Sequence, residues 1–279
     1  MIDGLQPVKD LGEKAKREGD DFAGAKPLGW LARAGLVARG LVYLIIGVLA
    51  IKLVLGEGGK AANQQDALRT IADQPFGKTL LVLVAIGLAG YALWRLVRAA
   101  VGHGAEQRDS GFDRVAALAS GVAYGVLCVT AVEIVSGSGT GSGTPKEATG
   151  GVLGWWGGTV LVAIAGAALI GVAAYQAYKG LGRKFLDDAK TSEMSAGVRK
   201  GYSALGVFGL VARAVIFALV GYGLIKAAVD YNPQKAIGLD GALRQLADSS
   251  YGPALLGVVA VGLAGFSLYS MADARYRKV

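Results

Sequence analysis

The sequence has one cysteine (Cys128), one histidine (His103) and only six prolines in 279 residues. A lone cysteine excludes an internal disulfide framework, and a lone histidine excludes a metal site built from several His or Cys ligands. With His103 in a basic loop and Cys128 deep in an apolar run, no nucleophile–base pairing suggests itself, and Cys128 reads as a small packing residue. Charged residues are scarce as well, at 18%, with a net charge of +8. Apolar residues take their place: 53% of the chain is hydrophobic, mean hydropathy is +0.45, and there are 44 glycines. That is more than twice the usual glycine share of about 7%.

The apolar residues gather into six runs, at 34–55, 79–97, 115–135, 158–178, 204–229 and 253–272. A helix rises about 1.5 Å per residue, so each run reaches roughly 30 Å, the thickness of a bilayer core. In lipid every backbone N–H and C=O needs an internal partner. Only helices and closed barrels provide one, and these runs lack strand alternation. The sequence therefore predicts an all-α membrane protein with six transmembrane helices. The first run follows more than thirty polar and mixed residues, unlike a cleaved signal peptide.

Lysine and arginine are distributed unevenly about these runs. The N-terminal segment, the second and fourth connections with their flanks, and the C-terminal tail carry 19, whereas the opposite side carries six. The positive-inside rule then places both termini in the cytoplasm. This sidedness, together with Arg183-Lys184 and Arg199-Lys200, fits attraction to an anionic inner leaflet better than nucleic-acid binding.

The chain also repeats itself. Residues 67–90 read ALRTIADQPFGKTLLVLVAIGLAG and residues 242–265 read ALRQLADSSYGPALLGVVAVGLAG, identical at 14 of 24 positions. The preceding runs match too: Leu36-Val37-Ala38-Arg39 with Leu210-Val211-Ala212-Arg213, Gly47 with Gly221, and Lys52 with Lys226. A weaker middle copy sets Gly121 on Gly40, Tyr124 on Tyr43 and Glu133 on Lys52. Each unit is helix, outer loop, helix, so all copies share one orientation and a pseudo-threefold axis would run along the membrane normal. The predicted division is an N-terminal cytoplasmic segment (1–27), repeat 1 (28–104), repeat 2 with a Gly/Ser-rich outer loop (105–182), a cytoplasmic linker (183–201) and repeat 3 (202–279).

The pattern Leu36-Val37-Ala38-Arg39-Gly40-Leu41-Val42-Tyr43, with Asp240-Gly241-Ala242-Leu243-Arg244, Tyr251-Gly252 and Ala274-Arg275-Tyr276-Arg277, resembles the bacterial membrane family known as domain of unknown function 1206. Tyr175-Gln176-Ala177-Tyr178-Lys179-Gly180-Leu181 and Lys184-Phe185-Leu186 match the end of that family's middle repeat. The resemblance covers nearly the whole chain. It implies a bacterial cytoplasmic membrane location, and it carries no activity, cofactor or site residue with it.

Small residues let helix backbones approach in lipid, where hiding apolar surface gains nothing. Gly121/Gly125 and the Gly/Ala pairs of every span therefore read first as packing within one chain, with a face for a protein partner or a second copy as the alternative. Trp30, Trp94, Trp155 and Trp156 fall near span ends, as an interfacial aromatic belt expects. The stretch 136–144, SGSGTGSGT, is a flexible linker where the middle repeat lacks the Ala-Leu-Arg segment. Residues 181–201 carry apolar side chains suited to a helix along the inner surface. Around 66–77 and 240–252 the pattern suits a short amphipathic helix on the outer membrane surface. Asp66, Arg69 and Asp73, with their mates Asp240, Arg244 and Asp248, would then form local i,i+4 pairs, or alternatively an outer binding platform.

Five charges fall inside the spans away from the loops, each costing at least about 2.5–3.5 kcal/mol at mid-bilayer. Arg39 and Arg213 are equivalent and near the cytoplasmic ends, where long stems can snorkel to the headgroups. The alternative is an inward guanidinium pair that attracts anions or acidic headgroups. Lys52, Glu133 and Lys226 are one position in three copies, which raises two readings: a Lys–Glu–Lys cluster fixing repeat packing, or three separate snorkelling residues. No metal or cofactor is expected. The sequence points to a non-enzymatic helix bundle with a structural or partner-interaction role, the lipid bilayer being its one evident partner. A transporter or channel with Arg39 and Arg213 at its cytoplasmic mouth is the second reading, and a membrane enzyme using the outer Asp residues the third.

Overall fold

The computed structural model describes residues 26–56, 63–101, 111–138 and 145–278. The N-terminal segment up to residue 25, the loop holding His103 and most of the Gly/Ser linker lie outside the described residues. The described chain is helical nearly throughout: α1 (Lys26–Val54), α2 (Gln64–Ala72), α3 (Gly77–Val101), α4 (Gly111–Ser136), α5 (Pro145–Leu153), α6 (Gly158–Leu181), α7 (Ala196–Val229), α8 (Leu239–Ala247) and α9 (Gly252–Tyr276). Six of these, α1, α3, α4, α6, α7 and α9, are long and apolar enough to cross a membrane. The protein is an all-α, multi-pass membrane protein made of two-helix repeats.

Each repeat is a span, a short helix and a second span. The short helices α2, α5 and α8 end in the same turn. The N–H of Gly77 donates to the Gln74 carbonyl (2.7 Å), that of Gly158 to Trp155 (2.9 Å) and that of Gly252 to Ser249 (2.8 Å). A Cβ at any of these three glycines would run into the final carbonyls of the short helix, so the next span can begin there only with glycine. Asn63 starts α2 with a capping box: its Oδ1 accepts from the Gln65 and Asp66 N–H groups at 2.9 and 3.0 Å, and Asp66 Oδ2 accepts from the Asn63 N–H at 3.1 Å.

The apolar faces of the short helices meet protein rather than lipid. Ala67, Leu68 and Ile71 of α2 are buried against α1, α3 and α4, and Leu239, Ala242 and Leu243 of α8 against α7 and α9. The expected surface-lying helices are thus plugs seated on the loop end of the bundle. The middle repeat keeps its plug although its sequence lacks Ala-Leu-Arg: α5 buries Thr149 and Leu153 beside α6 and α7.

The spans form a ring. The second span of each repeat packs on the first span of the next: α3 on α4, α6 on α7, and α9 on α1. This cyclic pattern is what three copies about one axis produce. Within repeats 1 and 3 the ring continues, α1 on α3 and α7 on α9. In the middle repeat it breaks, because among the described residues α4 and α6 make at most marginal contact with one another. They are also the two least buried spans. Most large core side chains therefore lie between repeats 1 and 3, among them Leu36, Ile46, Leu88, Trp94, Ile216, Leu263 and Phe266.

Glycine sets the close approaches. A Cβ on Gly166 of α6 would lie 2.7 Å from the Gly221 carbonyl oxygen of α7, and one on Gly221 would lie 2.7 Å from that of Gly166. A Cβ on Gly87 of α3 would lie 3.0 Å from the Ala34 carbonyl oxygen of α1. Gly125, by contrast, has open space where a side chain would go, so only Gly121 of that GxxxG pair serves packing, against Leu96.

The linker between α6 and α7 does not form a surface helix. It makes two 3₁₀ turns, Lys184–Leu186 and Thr191–Glu193, and α7 then runs unbroken from Ala196. Phe185 and Met194 are buried under the ring instead of facing lipid. The segment is tied to the chain's end: the Lys190 N–H donates to the Tyr276 carbonyl (2.7 Å) and the Lys278 N–H to the Asp188 carbonyl (3.0 Å).

Candidate functional site

Arg39 lies ten residues into the apolar segment Gly29–Val54, and its side chain turns into the bundle, 6% exposed. Its Nη1 donates to the Tyr91 hydroxyl (2.9 Å), its Nε to Ser270 Oγ (3.1 Å), and its Nη2 stands 3.6 Å from Asp273 Oδ2. The guanidinium also rests over the Tyr91 and Phe266 rings at 5.3 and 5.0 Å.

Asp273, 1% exposed, is the hub. Besides facing Arg39, it accepts from the Tyr202 hydroxyl (2.8 Å) and from Arg277 Nη1 (2.8 Å). Arg277 Nη2 lies 3.7 Å from Asp188, whose Oδ2 accepts from Lys179 Nζ at 2.7 Å. Burial by itself would lower the proton affinity of Arg277, but Asp273 and then Asp188 hold that guanidinium well above its ordinary range. One polar chain thus crosses the terminal half of the ring, from Tyr91 on α3 through α1 and α9 to Lys179 on α6.

A cavity of about 270 Å³ opens beside this chain. Five cationic side chains, Arg39, Arg95, Lys179, Arg213 and Arg277, line it, against Asp188 in the wall and Asp273 just behind. Three formal positive charges are left over. Arg213 of α7 has no hydrogen-bond or ion-pair partner among the described residues. It sits over three rings, Phe266 at 4.4 Å, Phe217 at 4.9 Å and Tyr43 at 5.1 Å. Such contacts are worth roughly 0.5–2 kcal/mol each and hold the cation without neutralising it. Arg95 spends one donor on the Ala116 carbonyl (3.3 Å). The Nε–H groups of Arg95, Arg213 and Arg277 and the Oε1 of Gln176 are buried without a hydrogen-bond partner. A buried donor left unpaired costs about 1–3 kcal/mol, so a site with several is prepared for an acceptor.

The sequence-predicted pair Arg39 and Arg213 therefore shares one cavity, pointing inward rather than snorkelling. The middle-repeat residue at their aligned position, Ser120, lines the same cavity. Lys52, Glu133 and Lys226 are not brought together. Lys52 and Lys226 are exposed, Lys226 lies over the Tyr222 ring at 5.8 Å, and no ion pair joins the three. The ring explains this, because a second span stands between each first span and the next. On the loop end Asp66 is engaged in the α2 cap, while Arg69 and Asp73, like Arg244 and Asp248, form no mutual ion pair among the described residues. Asp240 lies in the first turn of α8.

Several residues of the site carry little sign of their role in the sequence. Asp273 sits at the end of an apolar run beside Arg275 and Arg277, where a charge looks solvated. The available signal was its i,i+4 spacing from Arg277. In the sequence Arg95, Lys179 and Arg277 read as flanking charges that set the orientation. Trp94 looks like a belt residue but is 2% exposed, with Arg98 and Arg277 over its ring at 4.5 and 5.5 Å. Trp30, Trp155 and Trp156 are exposed near span ends, as a belt requires. Cys128 is half-buried, its thiol donating to the Ala85 carbonyl at 3.4 Å.

The repeat pattern has relatives. The profile of the Domain of Unknown Function DUF1206 matches three times in tandem, over residues 34–102, 115–183 and 208–277. The chain belongs to the DUF1206 family. It is 33% identical over 248 residues to the uncharacterized protein YxxB of Bacillus subtilis (strain 168), covering 88% of this chain and 90% of that one. No solved structure matches. All five cations of the cavity wall fall inside the three DUF1206 matches, while Phe185 and Asp188 come from the linker between the second and third.

Proposed function

We propose that this DUF1206 chain is a non-enzymatic protein of the bacterial cytoplasmic membrane, with both termini in the cytoplasm, and that its central cavity binds an anion. The 19-to-6 distribution of Lys and Arg supports the orientation. The observation that carries the binding reading is the wall itself: five cations against two carboxylates, with guanidinium groups whose buried Nε–H donors have no hydrogen-bond partner. A phosphate or carboxylate would accept from the guanidinium and ammonium groups through charge-assisted bonds, roughly twice as strong as neutral ones. The non-enzymatic reading rests on the absence, among the described residues, of a metal-ligand cluster and of any histidine or cysteine in the cavity wall.

Inorganic phosphate added to protein in a neutral detergent tests this. It should raise the melting temperature of the wild type in a saturable way, and Arg213→Gln combined with Arg95→Gln should abolish the rise. A flat response of the wild type would refute the reading.

Transport is the second reading, because Arg39 and Arg213 line one cavity at the end proposed to be cytoplasmic. The cavity wall draws on the terminal half of each span, while α2, α5 and α8 seat apolar side chains on the other end. Binding therefore takes precedence over passage. Anion flux into proteoliposomes that is lost in Arg39→Ala and Arg213→Ala would reverse that order.

A further inference from the structure

The ring is complete at five of its six joints. The missing joint lies between α4 and α6, the two spans of the middle repeat, and the cationic cavity lies behind it. Both flanking helices supply wall. From α4 come Ala116, Ala119 and Ala123, and from α6 come Val172 and Tyr175. Ala119 and Ala123 of α4 line the cavity and are exposed. With no second span packed over this stretch, the cavity opens between α4 and α6. Because α4 is a membrane-spanning helix, that opening faces lipid and not water. Its alanines leave room where larger side chains would close it.

We infer that the anion is the headgroup of an anionic phospholipid, which enters sideways between α4 and α6 from the leaflet on the terminal side. This rests on the anion-binding reading above and names the ligand's source. Size agrees with it. A cavity of about 270 Å³ has the room of about nine waters. That accommodates a phosphate-bearing headgroup but not the acyl chains. The chains would stay outside, along the exposed apolar faces of α4 (Leu118, Val122) and α6 (Ile170). Charge agrees as well. The three surplus positive charges favour an anionic headgroup over a zwitterionic one, whose amine would meet Arg95, Arg213 and Lys179 unfavourably. A soluble anion has no need of a lateral opening walled by alanine.

The experiment reconstitutes the full chain in bilayers of equimolar phosphatidylglycerol and phosphatidylcholine, releases it into detergent, and counts retained lipid by native mass spectrometry. Melting curves with inorganic phosphate run in parallel. Phosphatidylglycerol should be enriched about tenfold over phosphatidylcholine on the wild type, the factor expected of one net charge-assisted bond. Arg95→Gln with Arg213→Gln should lose both the enrichment and the phosphate response. Ala119→Trp and Ala123→Trp alter exposed positions at the opening. They should lose the enrichment while the phosphate response persists, which also reports that the variant is folded. Equal retention of the two lipids by a wild type that still responds to phosphate would overturn the lipid as ligand and leave a soluble anion. Absence of both effects would overturn the anion site itself.

Discussion

Asp273 holds two arginines and a tyrosine on a single carboxylate that is almost wholly buried. Removing one member of such a group leaves the others charged and unpaired, which is far costlier than never having built it. Asp273→Ala should cost about 3–5 kcal/mol in detergent-unfolding titrations. Tyr202→Phe, which deletes one hydrogen bond to a charged group, should cost about 1.5–3 kcal/mol. An unchanged midpoint for Asp273→Ala would show that the polar chain is not under load. Glu133 is the contrasting case. With no ion pair to Lys52 or Lys226, Glu133→Gln should stay within about 0.5 kcal/mol of the wild type, and a larger loss would mean that the cluster forms after all. At this scale the repeat alignment was enough to single out Arg39 and Arg213, because two charges at one position in apolar runs need a reason. It could not single out Asp273, because whether a charge at the end of a run is solvated depends on what lies under it. Here that is the linker carrying Phe185 and Asp188, far away in sequence.

Helix pairing depends on the absence of side chains at particular points. Where α6 crosses α7, Gly166 and Gly221 set each other's carbonyls within reach of any added Cβ. Gly221→Val should therefore destabilise by about 1–3 kcal/mol, whereas Gly125→Ala, with open space around it, should be silent in the same melting assay. The plugs behave like core elements of a soluble protein. Leu243 on α8 is fully buried, and Leu243→Ala should cost about 2–5 kcal/mol. If α8 lay on the bilayer surface instead, the same change would barely move the midpoint. The plugs of repeats 1 and 3 were readable because their Ala-Leu-Arg pattern has helical periodicity. That of the middle repeat was not, since PKEATGGVL carries little pattern and forms its helix in the place the neighbouring spans leave for it.

Across the whole molecule, the proposed orientation predicts that a periplasmic reporter enzyme fused in the Gly/Ser linker is active and the same fusion after Val279 is inactive. The reverse result would invert the cavity with respect to the membrane. The sequence by itself determined the six spans, their division into three copies and the sidedness of charge. These depend on transfer of residues between water and lipid and on direct repetition, both of which are properties of the chain taken one segment at a time. Only the tertiary structure decided that the ring leaves one joint open, that its arginines turn inward, and that Lys52, Glu133 and Lys226 stay apart. In lipid, helix contacts bring no gain from hiding apolar surface, so which faces meet is settled by shape and hydrogen bonding between distant segments. That is information no single segment contains.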